Sequence, residues 1–205
     1  DDIVSAAPQA RPPSSPPPLA LRLQTPPARL PPPLTRVCAA APASRQYKRA
    51  ALHWAAGSGH VDCVEYLITQ NLDPSQKQTT NGRTPLHYAA RNGRTAVCRL
   101  LIEGYGVEAD ALADADVTPF QLACWQVQEE VMRYLASRHD VDPSRVNDFG
   151  CSALHWIALA PSTVEEEVHL RCCAWLEEVI GGDWSLTNSQ GHEPLHKAAF
   201  SGHLH

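Results

Sequence analysis

The decisive stretch is Thr84-Pro85-Leu86-His87-Tyr88-Ala89-Ala90. Thr84 can cap the start of a helix, and Pro85 suits the first helical turn, where its missing N–H would be unpaired anyway. Leu86, Ala89 and Ala90 then lie on one face at helical spacing, and the small alanines let a partner helix approach closely. The stretch therefore predicts a short helix that packs tightly against another.

Related quartets recur along the chain at a nearly constant interval. They are Ala50-Ala51-Leu52-His53, Thr84-Pro85-Leu86-His87, Thr118-Pro119-Phe120-Gln121, Ser152-Ala153-Leu154-His155 and Glu193-Pro194-Leu195-His196. Their apolar third residues are separated by 34, 34, 34 and 41 residues. A fixed period in this range is typical of solenoids, in which neighbouring units bury a continuous core between them. The number of units, rather than a single globular centre, therefore determines the size of the fold.

Each unit is predicted to hold a second helix. In the second unit, Asn92 and Gly93 have the left-handed turn chemistry that ends helices. The apolar stripe that follows is Val97, Cys98, Leu101 and Ile102. Its spacing is helical, so two short antiparallel helices are expected in the unit.

With these features in register, the chain resembles the ankyrin-repeat proteins. The resemblance covers roughly Tyr47 to His205 and rests on the T-P-L-H quartets, the paired alanines and the glycine turns. It implies an all-α ankyrin-repeat solenoid in residues 46–205. The units would span about 46–78, 79–112, 113–146 and 147–187, with a partial fifth at 188–205. It also implies that the quartet histidine ties each helix start to the neighbouring backbone.

Two units depart from the pattern. The third has Gln121 in place of the histidine. In the fourth, the step from Leu154 to Leu176 is 22 residues, against 15 from Leu52 to Leu67, so seven extra residues lie between its helices. These residues predict a longer loop or an extended helix.

Several side chains are assigned to the core by their register. Trp54, Tyr88 and Trp156 share one slot beside the paired alanines. Cys173 aligns with Cys98 on the apolar stripe of a second helix, and buried free cysteine behaves as a small hydrophobe. We therefore predict that all of these side chains pack in the interior.

Residues 1–45 are predicted to form a disordered tail, because they hold 12 of the 18 prolines. From Ile3 through Val61 the chain has seven basic residues and no acidic one. Three interpretations stay open. The tail could be a passive polyproline II segment, it could be an organellar transit peptide, or Arg29–Leu34 could be a weak ligand for an SH3-type aromatic groove.

Composition narrows the location and the kind of partner. The seven cysteines form an odd set without a C-x-x-C pair, which favours free thiols and an intracellular, cytoplasmic location unless the tail directs organellar import. The chain has no secretory leader pattern and no long apolar run, so no membrane segment is predicted. The basic residues of the tail are scattered and lack interleaved aromatics, which disfavours nucleic-acid binding.

The patterns that suggest a metal or a catalytic centre are better explained by the repeat. His192-Glu193-Pro194-Leu195-His196 matches the H-E-x-x-H zinc motif, but the proline pushes Glu193 out of the helical region, so the two histidines cannot share a helical face. The quartet histidines lie in different units, and helices packed about 8–10 Å apart cannot easily share an ion. His169, Cys172 and Cys173 have the helical spacing of a metal or redox site, but we interpret the cysteines as core residues. We therefore predict no enzyme, metal or cofactor.

The resemblance implies a protein-interaction scaffold or adaptor whose concave face, formed by loops and first helices, holds a protein partner of unknown identity. The partner-binding residues mapped in register are Tyr47, Arg49, Asn81, Arg83, Arg91, Asn92, Trp125, Gln126, Phe149 and Phe200. The same mapping places Gln46, Asp114, Val117, Leu159 and His192 on this face. An alternative is the regulatory arm of a larger enzyme, a kinase or a protein acyltransferase, that continues beyond His205.

Overall fold

The computed structural model describes residues 45–202, and within the first helix it describes side chains from Ala50 onward. The predicted tail lies outside this range, together with its SH3-type and transit-peptide alternatives. Every regular element in the described range is helical. The all-α prediction is confirmed for this part of the chain.

The helices alternate between two layers. The first helices of the units are α1 (Arg45–Ser58), α3 (Pro85–Arg91), α5 (Pro119–Trp125), α7 (Ala153–Ala158) and α9 (Pro194–Ser201). The second helices are α2 (Val61–Thr69), α4 (Thr95–Arg99), α6 (Glu129–Ala136) and α8 (Glu166–Ile180). A π-helical turn, Leu100–Gly104, continues α4, and a 3-10 turn, Asp114–Asp116, precedes α5. None of the described helices is long and apolar enough to span a bilayer.

The core is a continuous seam between neighbouring units. Each first helix packs on the next, in the order α1, α3, α5, α7 and α9. The quartet residues Leu52, Leu86, Phe120 and Leu154 are buried in this seam. The small side chains that follow them, such as Ala89 and Ala90, are fully buried and let the helices approach closely. The period of the sequence therefore corresponds to the repeat of the packing.

The quartet histidine links its unit to the next one by hydrogen bonds. His87 Nδ1 accepts a hydrogen bond from the backbone N–H of Thr84 at 3.2 Å, and its Nε2–H donates to the carbonyl of Val117 at 3.0 Å. His155 repeats this arrangement between Ser152 N–H, at 3.3 Å, and the carbonyl of His192, at 3.0 Å. The role that the resemblance implies for these histidines is confirmed.

Gln121 performs the same task in the third unit. Its Oε1 accepts from the backbone N–H of Thr118 at 3.2 Å, and its Nε2–H donates to the carbonyl of Arg145 at 2.9 Å. An amide offers one acceptor and a donor, as a neutral imidazole does. Gln121 in the third quartet therefore preserves the hydrogen bonds that link one unit to the next.

The loops between units also follow one another in register. Asp114 N–H donates to the carbonyl of Asn81 at 3.2 Å, and Asp148 N–H donates to the carbonyl of Ala115 at 3.1 Å. Ser189 N–H donates to the carbonyl of Phe149 at 2.9 Å. This ladder of loop hydrogen bonds aligns the loop tips along one edge of the stack.

The seven extra residues of the fourth unit lengthen both the loop and the helix. Residues 159–165 separate α7 from α8, whereas only residues 126–128 separate α5 from α6. Helix α8 has 15 residues, against 8 in α6. Its buried stripe is His169, Cys172 and Leu176.

One core assignment from the sequence is wrong, and a second holds only in part. Trp54 is 76% exposed, because α1 begins at Arg45, where the later units have a loop that covers this slot. Cys173 packs against the core but is half-buried, while Cys172 is fully buried. In the longer α8, the buried residue lies four positions before Leu176, whereas the aligned Cys98 lies three positions before its own buried leucine, Leu101.

Candidate functional site

A pair of tryptophans occupies the middle of the face formed by the loops and the first helices, which we call the concave face. Trp125 at the end of α5 lies edge-on to Trp156 of α7, with ring centroids 6.2 Å apart and an interplanar angle of 62°. The indole N–H of Trp125 donates to the carbonyl of Leu159 at 3.1 Å. Both rings are half-buried, so each retains exposed apolar surface.

The tryptophans rest on a small apolar cluster that is separate from the main core. Its buried members are Ala113, Val117 and Leu122, and both rings pack against them. Ala113 and Val117 come from the loop before α5, so that loop folds over the first helices. This local packing holds the rings in place on the surface.

An apolar pocket opens beside the pair. Its volume is about 240 Å³, and its apolar walls include Val117, Phe149, Trp156 and Leu159. Phe149 is 53% exposed, and Lys197 of α9 contributes the one cationic side chain among the lining residues. We call the residues Val117, Trp125, Phe149, Trp156 and Leu159 the aromatic patch.

Two arginines lie at the side of the patch towards the second unit. The guanidinium carbon of Arg91 lies 4.8 Å from the ring centroid of Trp125, within the range of a cation–π contact. Burial, together with the positive charge of Arg91, lowers the pKa of Arg83. Within the described residues, neither arginine has an acidic group within 4.0 Å. This side of the patch therefore carries uncompensated positive charge.

The loop edge of the same face is acidic. Asp114, Asp116 and Asp148 are exposed at successive loop tips. A hydrogen bond and charge repulsion from Asp116 raise the pKa of Asp148. The concave face thus combines an apolar centre, a basic side and an acidic loop edge.

The structure brings together four of the residues that the sequence assigns to partner binding. Arg91 lies over the Trp125 ring, its charge contributes to the lowered pKa of Arg83, and Phe149 lines the adjacent pocket. Phe200 is 86% exposed at the far end of the face, on α9. These positions have side-chain surface that the stack leaves available.

The other assigned residues have different surroundings. Asn81 accepts from Arg83 N–H at 3.1 Å and donates to the hydroxyl of Tyr88 at 3.3 Å, while Asn92 donates to the carbonyl of Gly57 at 2.9 Å. Both amides therefore help to hold loops and helix ends. Gln126 is half-buried directly after the Trp125 ring. The side chains of Tyr47 and Arg49 lie outside the described residues.

Sequence reasoning missed two members of the site. The sequence predicts Trp156 in the core, because its register slot matches that of Tyr88. Tyr88 is also half-buried and donates its hydroxyl to Gln78 of the preceding loop, so the slot faces the loops. Lys197 carried no signal, since a lysine in a surface helix is common. The shared slot of Tyr88 and Trp156 was the available clue to the patch.

Glu193 of the H-E-x-x-H match lies outside the helix, as the proline after it predicts. Glu193 is extended, with φ −81° and ψ 163°, and its N–H donates to His196 Nδ1 at 3.2 Å. That imidazole nitrogen therefore serves as a helix cap. In the neighbouring α8, His169 lies with Nε2 2.9 Å from the carbonyl of Ile157 and ties the lengthened helix to α7.

The buried cysteines have environments that disfavour thiolate. Cys98, Cys124 and Cys172 are all fully buried. Burial raises the pKa of the Cys98 thiol to about 12 and also raises that of the Cys124 thiol. Since the thiolate is the reactive form, these side chains act as packing residues.

Comparison with known proteins identifies the repeat. A family model described as ankyrin repeats, in three copies, matches residues 34–112 and 52–147. The chain belongs to the ankyrin-repeat family. Ankyrin repeats are typically non-catalytic domains that mediate contacts between proteins.

Curated relatives include much longer proteins. The chain is 34% identical over 145 residues to the neurogenic locus notch homolog protein 1 of Danio rerio, an alignment that covers 71% of this chain and 6% of that protein. It is 35% identical over 108 residues to the Xenopus laevis and Homo sapiens proteins of the same name, with 53% of this chain and 4% of each relative covered. This ankyrin-repeat chain thus corresponds to a small part of these relatives.

Proposed function

We propose that this ankyrin-repeat chain is a non-catalytic scaffold that holds one protein partner on its concave face. The stacked repeats support this role, because each unit is connected to the next by helix packing, by the hydrogen bonds of the fourth quartet residue and by hydrogen bonds between loops. A face built on such a framework can bind without a large rearrangement. The proposed activity is therefore presentation of a preformed surface.

The observation that carries this proposal is the aromatic patch with its open pocket. Tryptophan, tyrosine and arginine dominate the binding energy of protein interfaces, and they do so from well-packed central positions. Trp125 and Trp156 occupy such a position, with Arg91 stacked on one ring. Since the main core is already closed beneath them, their exposed surface is free for a partner.

The proposed contact residues are the ten that the sequence assigns to partner binding, and their surroundings in the structure indicate how central each one is. Arg83, Arg91, Trp125 and Phe149 form its centre, because they adjoin one another or the pocket. Gln126 and Phe200 extend it along the first helices. Asn81 and Asn92 would contribute through surface left over from their structural hydrogen bonds, and Tyr47 and Arg49 would extend it onto α1.

Affinity capture with matched variants tests the proposal. Arg91→Glu and Phe149→Ser change exposed atoms of the concave face, at the side of the patch and within it, so we expect the captured partner set to shrink while the thermal unfolding midpoint stays close to that of the wild type. Arg99→Glu and Val179→Ser serve as controls, since both side chains are exposed on second helices. An unchanged partner set with the patch variants, or an equal loss with the controls, would contradict a concave binding face.

A further inference from the structure

The charge pattern of the concave face suggests what kind of segment it holds. We propose that the face binds an extended acidic peptide segment of a partner protein. One carboxylate lies on the arginine pair, and no more than about three residues away a large apolar side chain fills the pocket. This inference rests on the proposed function and names the chemistry of the partner.

The basic side selects a carboxylate. The Arg91 guanidinium lies over the Trp125 ring, and its positive charge contributes to the lowered pKa of Arg83. The part of the chain that the structure describes places no acidic group within 4.0 Å of either arginine. Lys77 adds positive charge near the same unit boundary. A carboxylate can accept paired N–H donors from a guanidinium, and charge-assisted hydrogen bonds of this kind are the strong ones. An acidic side chain would therefore relieve the repulsion between the two arginines.

The pocket selects the apolar residue. Its volume of about 240 Å³ accommodates a leucine or phenylalanine side chain, and its walls are apolar on the sides formed by Phe149, Trp156 and Leu159. Pockets that are mostly apolar, with a few polar groups at the rim, are typical of sites that hold one anchoring side chain. The Trp125 ring forms the surface between this pocket and Arg91.

Two distances limit the spacing between the two anchors, the arginine pair and the apolar pocket. Arg91 lies 4.8 Å from the Trp125 centroid, and that centroid lies 6.2 Å from the centroid of Trp156. Laid end to end, these two distances give the longest possible separation of the Arg91 guanidinium from the Trp156 ring. An extended peptide advances ~3.3 Å per residue, so the carboxylate lies no more than about three residues from the apolar side chain.

The remaining charges of the face favour the same chemistry. Lys197 lies at the pocket, which makes both ends of the proposed site basic. The aspartates Asp114, Asp116 and Asp148 line the loop edge, so an acidic side chain would be repelled there and directed towards the arginines. An acidic segment therefore meets positive charge at both ends of the patch and negative charge along the loop edge.

Fluorescence anisotropy with designed peptides on the 205-residue chain tests this proposal. The probe is a fluorescein-labelled peptide with two aspartates, a Ser-Gly spacer of two residues and a phenylalanine, flanked by serine and glycine. Three comparison peptides replace the aspartates by lysines, replace the phenylalanine by serine, or lengthen the spacer to eight residues. We expect the probe to bind at least ~10-fold more tightly than each comparison, and to weaken severalfold between about 50 mM and 300 mM salt.

Protein variants assign the two anchors. The double variant Arg83→Gln with Arg91→Gln should weaken the probe at least ~5-fold and remove its preference over the lysine peptide. Phe149→Ser should instead reduce the preference for phenylalanine over serine. Arg99→Gln and Val179→Ser are the matched controls, since they remove an exposed arginine and an exposed apolar side chain from second helices. Both controls should leave the affinity unchanged.

Three results would overturn the inference. They are equal or tighter binding of the lysine peptide, equal binding of the serine peptide, and no measurable binding of the probe at about 1 mM. If affinity capture still depends on Arg91 and Phe149 in such a case, the concave binding face stands and only the acidic-peptide chemistry fails. If neither assay depends on these residues, both proposals fail.

Discussion

At the scale of single residues, the stack depends on a donor and an acceptor placed at the fourth position of each quartet. His87 accepts from Thr84 N–H and donates to the carbonyl of Val117 in the next loop. Gln121 makes the equivalent pair of hydrogen bonds through its amide. The requirement is thus for hydrogen-bonding geometry in a buried place, and two different side chains satisfy it.

Substitution of His87 should separate geometry from residue identity. His87→Ala leaves the N–H of Thr84 and the carbonyl of Val117 without this partner in a buried site, so we expect the free energy of unfolding to fall by about 2–4 kcal/mol. His87→Gln should cost less than about half of that, because Gln121 shows that glutamine can span the same gap. Urea unfolding followed by circular dichroism measures both. Equal losses would show that the imidazole is required as such.

The same histidine should make stability depend on pH. Burial lowers the pKa of His87 from 6.5 to about 4. Above pH 6.5 the side chain is neutral in both the folded and unfolded chain, so it adds no slope. Below pH 6.5 the unfolded chain binds the proton and the folded chain does not, so stability falls until about pH 4, by up to about 3 kcal/mol. His87→Gln should show a shallower fall over this window in urea titrations, with His155 still contributing in both proteins.

At the scale of the elements, one left-handed position recurs at the loop tips, and three of the four described tips fill it with glycine; in the third tip the preceding residue, Ala115, is left-handed as well, with φ 59°. Gly82, Gly150 and Gly191 have φ of 63°, 68° and 75°. In the third unit, the equivalent position is Asp116, with φ 54°. Left-handed backbone is unfavourable for residues with a Cβ, although aspartate tolerates it better than most. This tip also places Asp116 against Asp148, so strain and repulsion coincide there.

Two substitutions of Asp116 should distinguish these effects. Asp116→Asn removes the negative charge, and Asp116→Gly removes both the charge and the left-handed strain at this position, while Ala115 stays left-handed. We therefore expect both variants to raise the melting temperature at pH 7 by about 1–3 °C, the glycine variant more than the asparagine variant. The folded-state pKa of Asp148 is raised, so the repulsion is present above that pKa and disappears as the pH falls through it. The advantage of Asp116→Asn should therefore shrink at acidic pH, as measured by scanning calorimetry. A pH-independent advantage would contradict the charge contribution.

The sequence predicted those features of the elements that local chemistry determines. Helix pairs follow from caps, apolar spacing and the 34-residue period, all of which are properties of one unit. Trp54 escaped prediction because its exposure depends on whether a loop covers the slot, and α1 extends through that region instead. Cys172, and not Cys173, is the fully buried cysteine because the lengthened α8 packs with a different phase. The stacking of Arg91 on Trp125 joins two units, and no pattern within one unit reveals such a contact.

At the scale of the whole molecule, the arrangement of contacts predicts how a defect spreads. Each first helix packs on its immediate neighbours, so stability should be a sum of unit and interface contributions. Phe120 is buried in the core and lies on α5, the middle helix of this row, which packs on both α3 and α7. Leu52 occupies the equivalent position at the first described unit.

Truncation of the two side chains should therefore have different spatial effects. We expect Phe120→Ala to cost about 3–5 kcal/mol and to raise amide exchange most in α5, less in α3 and α7, and least in α1 and α9. Leu52→Ala should cost about 2–5 kcal/mol and should raise exchange mainly in α1 and α3, since only one neighbour adjoins α1 in the described row. Hydrogen exchange followed by mass spectrometry resolves these helices. A uniform rise of amide exchange across the described helices in both variants would mean that the stacked repeats unfold as one unit. In that case the concave face could not loosen at one end while its centre stays ordered.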